Sequence, residues 1–549
     1  MSEDGSPGAG SGDDVDDSRK HAGDPGSDTG VGHGDPAVSH GDNPAADRIR
    51  DRRDRLAAAI GRTWTDDGPW RFLTDLTAIG SRMAGSPGEK RAADRVADAF
   101  ERAGLRGVRT DAFELAAWER GEVNLRVRTP DRSGEERTRE FEALALPYSP
   151  AGSVSGALVD VGHGTPAEID AADVDGRIAV ASTTTPEGTR FVHRMEKFGY
   201  AVESGAVGFV FVNHLDGQLP PTGSLTFGEE AAAPAVGVSA ETGAWLREYA
   251  VNATGPVATA ELTVDATTTP GESRNVIGRV GPDTDERLLL LAHYDGHDIA
   301  EGALDNGCGI ATVVTAARIL ADGTDDTGDA GVADDTGDAG VADGTGDVGV
   351  ADGTGDVGVA DDTRDRKRAD PLFPVGVDVV AVGAEEVGLL GAERLARTVD
   401  LDAVRGVINV DGAGRFRDLV AMTHTSETAA SVADAVSTAT RHPVKVRPEP
   451  HPFSDQWPFV RRGVPALQLH SDSGERGRGW GHTHADTRDK VDDRNVREHA
   501  ALVALLVTEF AAADRDPERL DTAALAAAFR EAEFETGMRA ADLWPADWE

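Results

Sequence analysis

The chain has 549 residues, enough for more than one domain and a large buried core, and carries a formal charge of −42. So negative a surface repels nucleic acid and anionic lipid, which excludes both as partners. The single cysteine, Cys308, excludes an internal disulfide, and no run of about 18 apolar residues offers a membrane span.

Residues 1–46 hold ten acids and two bases among Gly, Ser and Pro, too few apolar groups to offset the entropy of ordering, so a disordered acidic tail is expected. His21, His33 and His40 within it are too widely spaced for a metal tract. The opening Met-Ser-Glu-Asp-Gly has neither a basic nor an apolar leader region, and a cytoplasmic protein is expected. Apolar spacing from Pro69 to Ala103, broken near Gly85 and Gly88, predicts two helices, and a strand follows over Val108–Leu115.

Between about 126 and 268 short β-rich runs take over: Ala157–Val161, Arg177–Ala181, Gly208–Asn213 and Ala235–Val238, with one helix near Phe191–Ser204. The run Gly176-Arg-Ile-Ala-Val, then Phe191, Lys197 and the stretch from Glu203 to Val212, resembles the protease-associated domain, a module inserted into peptidases. From 270 onward strands and helices alternate. Buried-strand runs at Leu288–Ala292, Val375–Val382, Val404–Val410, Leu419–Met422 and Ala466–His470 are joined by helical stretches at 309–320, 386–397, 427–440 and 493–513. That order implies an α/β fold, a mostly parallel sheet covered by helices on both faces. Residues 327–362 interrupt it with four copies of a nine-residue Thr-Gly-Asp unit. The copies lack the glycine order of a calcium β-roll and predict a solvated loop. Residues 321–366 carry fourteen acids and two bases; setting this loop and the tail aside still leaves −22 of the total. With only six lysines, the composition resembles that of salt-in halophiles and a cytoplasm rich in potassium chloride.

Acids and histidines cluster just after the predicted strands, where open α/β sheets place their ligands. His293-Tyr-Asp295 ends the first: an imidazole there can bind a metal while the aspartate holds its other ring nitrogen. Asp305-Asn306 lies among glycines before a helix, a place for an N-cap or for a carboxylate shared by two cations. Glu385-Glu386 follows the next strand; adjacent carboxylates need a neutralising partner, which suits one ligand and one free base. Asp411 ends a further strand, and Gly481-His482-Thr483-His484-Ala485-Asp486-Thr487 precedes the last long helix.

In this order the motifs resemble those of the zinc exopeptidase family M28, which includes aminopeptidases, plasma-type carboxypeptidases and glutaminyl cyclases. The resemblance implies a peptide substrate and two zinc ions per chain. Asp305 would bridge them, with His293 and Asp411 on one ion and Glu386 and His482 on the other. Glu385 would be the general base and Asp295 the group orienting His293. It also implies a division into a tail at 1–46, a peptidase domain at 65–125 and 270–515, and a protease-associated-like insert at 126–268. The repeat loop would occupy 321–370, and a helical extension 516–549.

Three departures bear on the substrate side. Gln456 stands where relatives have His in Ser-Asp-His, leaving Asp455 as a substrate-side or structural carboxylate. His451 lies where some relatives carry a tyrosine, a candidate for oxyanion or substrate contact. His484 is assigned no metal, and the His297–Asp298 stretch is expected to line the pocket without binding one. Cys308 reads as a small packed residue. The carboxylates Asp298, Glu301 and Asp455 favour a free ammonium group and hence aminopeptidase action. Arg415 and Arg417 are the candidates for the opposite, carboxypeptidase reading. A receptor-like relative without catalysis is the alternative from another class, and retention of every ligand argues against it. The oligomeric state is not set by the sequence.

Overall fold

The computed structural model describes residues 44–130, 135–251, 258–325, 372–474, 479–512 and 518–549. Expectations for the acidic tail and the repeat loop fall mostly outside these residues. Their described edges are helical: residues 44–46 open the helix Pro44–Thr65, and 321–325 finish Cys308–Asp325.

The strand Arg287–His293 explains the architecture. Leu288, Leu290 and Ala292 join the core on one face of the sheet, and Leu289 and Leu291 join the core on the other. Alternate side chains of a strand point to opposite faces, so an unbroken apolar run requires cover on both. It lies inside an eight-stranded sheet. Its parallel neighbours are Gly376–Val382 and Val404–Val410, and Ala466–Ser471 continues the parallel set. Arg106–Glu119 and Thr267–Val280 form an antiparallel edge, while Leu419–Met422 and Val444–Arg447 close the other side. Helices Pro44–Thr65, Pro87–Arg102, Cys308–Asp325, Glu427–Thr440 and Asp493–Phe510 supply the first core. Leu390–Thr398, Trp457–Val460, Thr522–Glu531 and Glu535–Ala540 supply the second. The expected α/β class, with a mostly parallel sheet between helical layers, is borne out.

Periodicity and capping set the helices. Ile310, Val313, Ala317 and Leu320 recur on one face of Cys308–Asp325 and are fully buried. The hydroxyl of Ser86 accepts from the Glu89 N–H to open Pro87–Arg102, and the Asp492 carboxylate accepts from the Arg494 N–H to open Asp493–Phe510.

The inserted region forms a second eight-stranded sheet, running from Glu136–Phe141 and Val123–Pro130 through Thr259–Val264, Gly152–Asp160, Ile178–Ser182, Gly208–Val212 and Ala235–Val238 to Leu144–Ala145. Val180, Val210 and Val236 pack on one of its faces, Ala179, Phe209 and Phe211 on the other. The four parallel strands of the main sheet end at one edge, and the motif residues emerge there. No described helix is long and apolar enough to cross a membrane.

Candidate metal centre

His293 is the last residue of its strand, and the loop after it is held from below by Arg82. This guanidinium is 1% exposed and donates to the carbonyls of Tyr294 (2.8 Å), Glu301 (2.5 Å) and Gly302 (2.9 Å). Burying an arginine is costly unless its donors are met, and here three carbonyls meet them. On the same loop, the Asp295 carboxylate accepts the backbone N–H groups of Glu385 and Glu386, each at 3.1 Å, and lies 3.4 Å from His293 Nδ1. One aspartate thus ties the first motif to the third. That tie, with left-handed backbone at Ala384 (φ 56°) and Leu389 (φ 58°), delays the expected 386–397 helix until Leu390–Thr398. The glutamate pair sits in a turn, not a helix.

The remaining motifs converge on the same point. His293 Nε2 is 3.5 Å from Asp305 Oδ1, 3.7 Å from Asp411 Oδ1 and 4.0 Å from Glu385 Oε2. His482 Nε2 is 3.3 Å from Asp305 Oδ2 and 3.1 Å from Glu386 Oε2. The two oxygens of Asp305 therefore face different histidines. Ligands about 2.0–2.1 Å from a tetrahedral zinc stand roughly 3.3 Å from one another, close to these separations. Among the described residues, both ring nitrogens of His293 and Oε1 of Glu386 are buried without a hydrogen bond, the condition of donors arranged for an ion. The residues fit zinc. Their supports are fixed in turn: Ser454 Oγ donates to Asp411 (2.8 Å), Asp486 accepts from the Leu304 and Asp305 N–H groups (2.6 and 3.1 Å), and Asn306 Nδ2 donates to the Val410 carbonyl (2.8 Å).

Electrostatics follow from crowding. Burial, then Glu386, Asp411 and Asp455, push the Glu385 carboxyl well above its usual range against the opposing pull of His293. For Glu386, burial acts the same way, but His297 and His482 outweigh it and hold the group well below. Burial lowers the basicity of His293, while Glu385, Asp295, Asp305 and Asp411 more than offset it. Six carboxylates share this space with few cations, an arrangement that dications neutralise.

Of the residues expected on the substrate side, Asp455 is fully buried and neither carboxylate oxygen has a hydrogen bond among the described residues. Gln456 fills its position with both amide ends in use: Oε1 accepts from Asn409 (3.0 Å) and Nε2 donates to the His451 carbonyl (3.1 Å). The His451 ring lies edge-on to Phe453, centroids 5.7 Å apart. Two of the three carboxylates taken as attracting an ammonium group are already paired, Asp298 with Arg120 (2.6 Å) and Glu301 with Arg488 (3.1 Å). Arg415 and Arg417 are engaged as well, the first with Asp305 and the Leu304 carbonyl, the second with Glu498. Burial pushes the Cys308 thiol up to about 12, and its sulfur packs against the Leu304 carbonyl.

Several contributors carry no motif signal. Arg82 is one. Another is the inserted region, whose Thr222 N–H donates to the His482 carbonyl (2.8 Å) and whose Thr222 carbonyl faces His482 Nδ1 (3.1 Å). A recess beside Glu385, Glu386 and His482 is lined by His193, Met195 and Phe227 of the insert and by Leu389 and Phe453 of the main domain. The His193 and Phe453 rings stack across that boundary, centroids 4.1 Å apart. His297 stands at the site as well: its Nε2 lies 3.0 Å from Glu386 Oε2.

The model of peptidase family M28 matches residues 275–333 and 338–507, and the PA domain model matches 154–246. The peptidase part of the chain is a peptidase family M28 domain. Its PA domain falls within the peptidase architecture, between the antiparallel edge strands of the main sheet. Among curated relatives, the chain is 24% identical over 361 residues to the probable lipoprotein aminopeptidase LpqL of Mycobacterium tuberculosis. That match covers 64% of this chain and 59% of LpqL, so the chain spans less than two thirds of that relative. Two solved structures share the fold. The M28 peptidase precursor of Shewanella amazonensis has TM-score 0.64 and 21% identity, covering 86% of this chain and 99% of that one. BSAP, a zinc aminopeptidase from Bacillus subtilis, has TM-score 0.56 and 21% identity, covering 83% and 98%.

Proposed function

We propose that the chain is a two-zinc aminopeptidase, with His293, Asp305 and Asp411 at one ion and Asp305, Glu386 and His482 at the other. The observation that carries this reading is the convergence of nitrogen and oxygen donors 3.1–3.7 Å apart at the carboxyl ends of parallel strands. Zinc at such a set supplies Lewis acidity toward a water and toward the scissile carbonyl. Glu385, adjoining His293 and lining the recess, takes the proton from the attacking water and returns it to the leaving nitrogen. Asp295 fixes the Glu385 and Glu386 backbone and the His293 ring, a positioning role. His451 and Asp455 border the substrate.

Action at the amino end is supported by the relatives' names, LpqL and BSAP both being called aminopeptidases. It is supported also by the engagement of Arg415 and Arg417, the cations a terminal carboxylate would need. The acidic, lysine-poor composition supports work in a salt-rich cytoplasm. The test compares hydrolysis of Leu-p-nitroanilide with that of an N-acetylated dipeptide bearing a free carboxyl end. Cleavage of the first is expected; cleavage of the acetylated dipeptide alone would overturn the aminopeptidase reading and leave the metal chemistry standing.

A further inference from the structure

Resting on that reading, we infer that His297 is an additional ligand of the second zinc position, which makes the two positions unequal. Its Nε2 lies 3.0 Å from Glu386 Oε2, the oxygen that His482 Nε2 approaches to 3.1 Å. The three donor atoms lie within 4.8 Å of one another, and all three residues are buried. Separations near 3 Å are those of atoms around one tetrahedral ion, for which roughly 3.3 Å follows from metal–donor lengths of about 2.0–2.1 Å.

A hydrogen bond to Glu386 is the competing account, and the geometry speaks against it. Among the described residues neither ring nitrogen of His297 makes a hydrogen bond, so Nε2 is close to the carboxylate without being aligned to donate. The His297 and His482 rings meet edge to face, 4.6 Å between centroids and 83° between planes, which brings two nitrogens to one side of Glu386. The loop bearing His297 is anchored on both sides, by Arg82 to the Tyr294, Glu301 and Gly302 carbonyls and by Arg120 to Asp298. A side chain 6% exposed on so constrained a loop is held where it stands.

With His297 the second position has Asp305, Glu386, His482 and His297, a filled tetrahedral set of two nitrogens and two oxygens. The first has His293, Asp305 and Asp411 and keeps room for water and substrate. A closed set binds more tightly and serves structure; an open one serves chemistry. The second position should therefore fill first.

The experiment is a zinc titration of the full-length apo-protein by calorimetry, with bound zinc counted by mass spectrometry. Wild type, His297→Ala and His297→Gln are compared, each checked for folding by circular dichroism. Wild type is expected to take two ions in two affinity classes. Both variants should weaken the tighter class at least about 10-fold and leave the other in place. Cobalt loaded to one equivalent should show an altered visible absorption in both variants. Two unchanged classes in His297→Ala, or wild-type affinity in His297→Gln, whose amide offers Glu386 a hydrogen-bond donor in place of the imidazole, would overturn the assignment while the two-zinc reading stands. A wild-type chain that takes up no zinc would overturn that reading itself, and this assignment with it.

Discussion

Glu385 and Glu386 are neighbours in the chain and face different surroundings, one crowded by acids, the other by imidazoles. On the proposed reading, the division separates a proton carrier from a ligand. Glu385→Gln is expected to lower kcat by about 10²-fold or more with zinc content unchanged. Glu386→Ala is expected to lower zinc content itself; normal turnover in Glu385→Gln would contradict the roles. A third glutamate has a different fate. Glu89 is 2% exposed, accepts from the Gly85 N–H (2.7 Å) and Ser273 Oγ (2.5 Å), and burial, then Asp295, push its carboxyl up to about 8. A folded-state value above the unfolded one means the native chain holds the proton more tightly. That contribution is complete below pH 4.5 and is lost as pH rises through about 8. Glu89→Gln should flatten this part of the melting curve and overtake wild type above pH 8 by on the order of a few kcal/mol, read from Tm against pH. Equal slopes for the two proteins would refute it. Motif residues were legible because the chemistry demands acids and imidazoles after strands. Arg82, Thr222 and Glu89 were not, since they act through backbone carbonyls, amides and burial that no local pattern records.

Strands were legible as elements, since apolar runs bounded by glycine and acid leave few other folds. The turn at 383–389 was not, because its helical spacing is overruled by a distant carboxylate, Asp295, and by two left-handed residues. Contact between insert and main domain was equally hidden. Arg120, just past the strand Arg106–Glu119, clamps Asp298 and donates to Thr222 Oγ1 (3.2 Å). The Arg120 side chain is 9% exposed, so Arg120→Leu leaves a largely buried carboxylate without its cation. A loss of about 3 kcal/mol in urea unfolding is expected, since removing one partner strands the other. Breaking the exposed Arg177–Asp173 pair should barely register. Equal effects from the two would show that Asp298 finds another partner.

At the scale of the molecule the dominant fact is charge. Outside the two acidic segments the chain still carries −22, and like charges repel across a distance that salt sets. The Debye length grows from about 3 Å at 1 M to about 30 Å at 0.01 M. Tm should rise with potassium chloride concentration; a flat profile, or a maximum in dilute buffer, would contradict this. The junction of Thr222 with His482 has a consequence for how the site comes into being. These partners lie 260 residues apart, and His482 is among the last site residues to be synthesised. A nascent or truncated chain ending before it carries the strands and the other motif residues, yet lacks this histidine. The insert must also have folded before that histidine has a carbonyl to dock on. The order of synthesis thus leaves this junction among the last parts of the site to form.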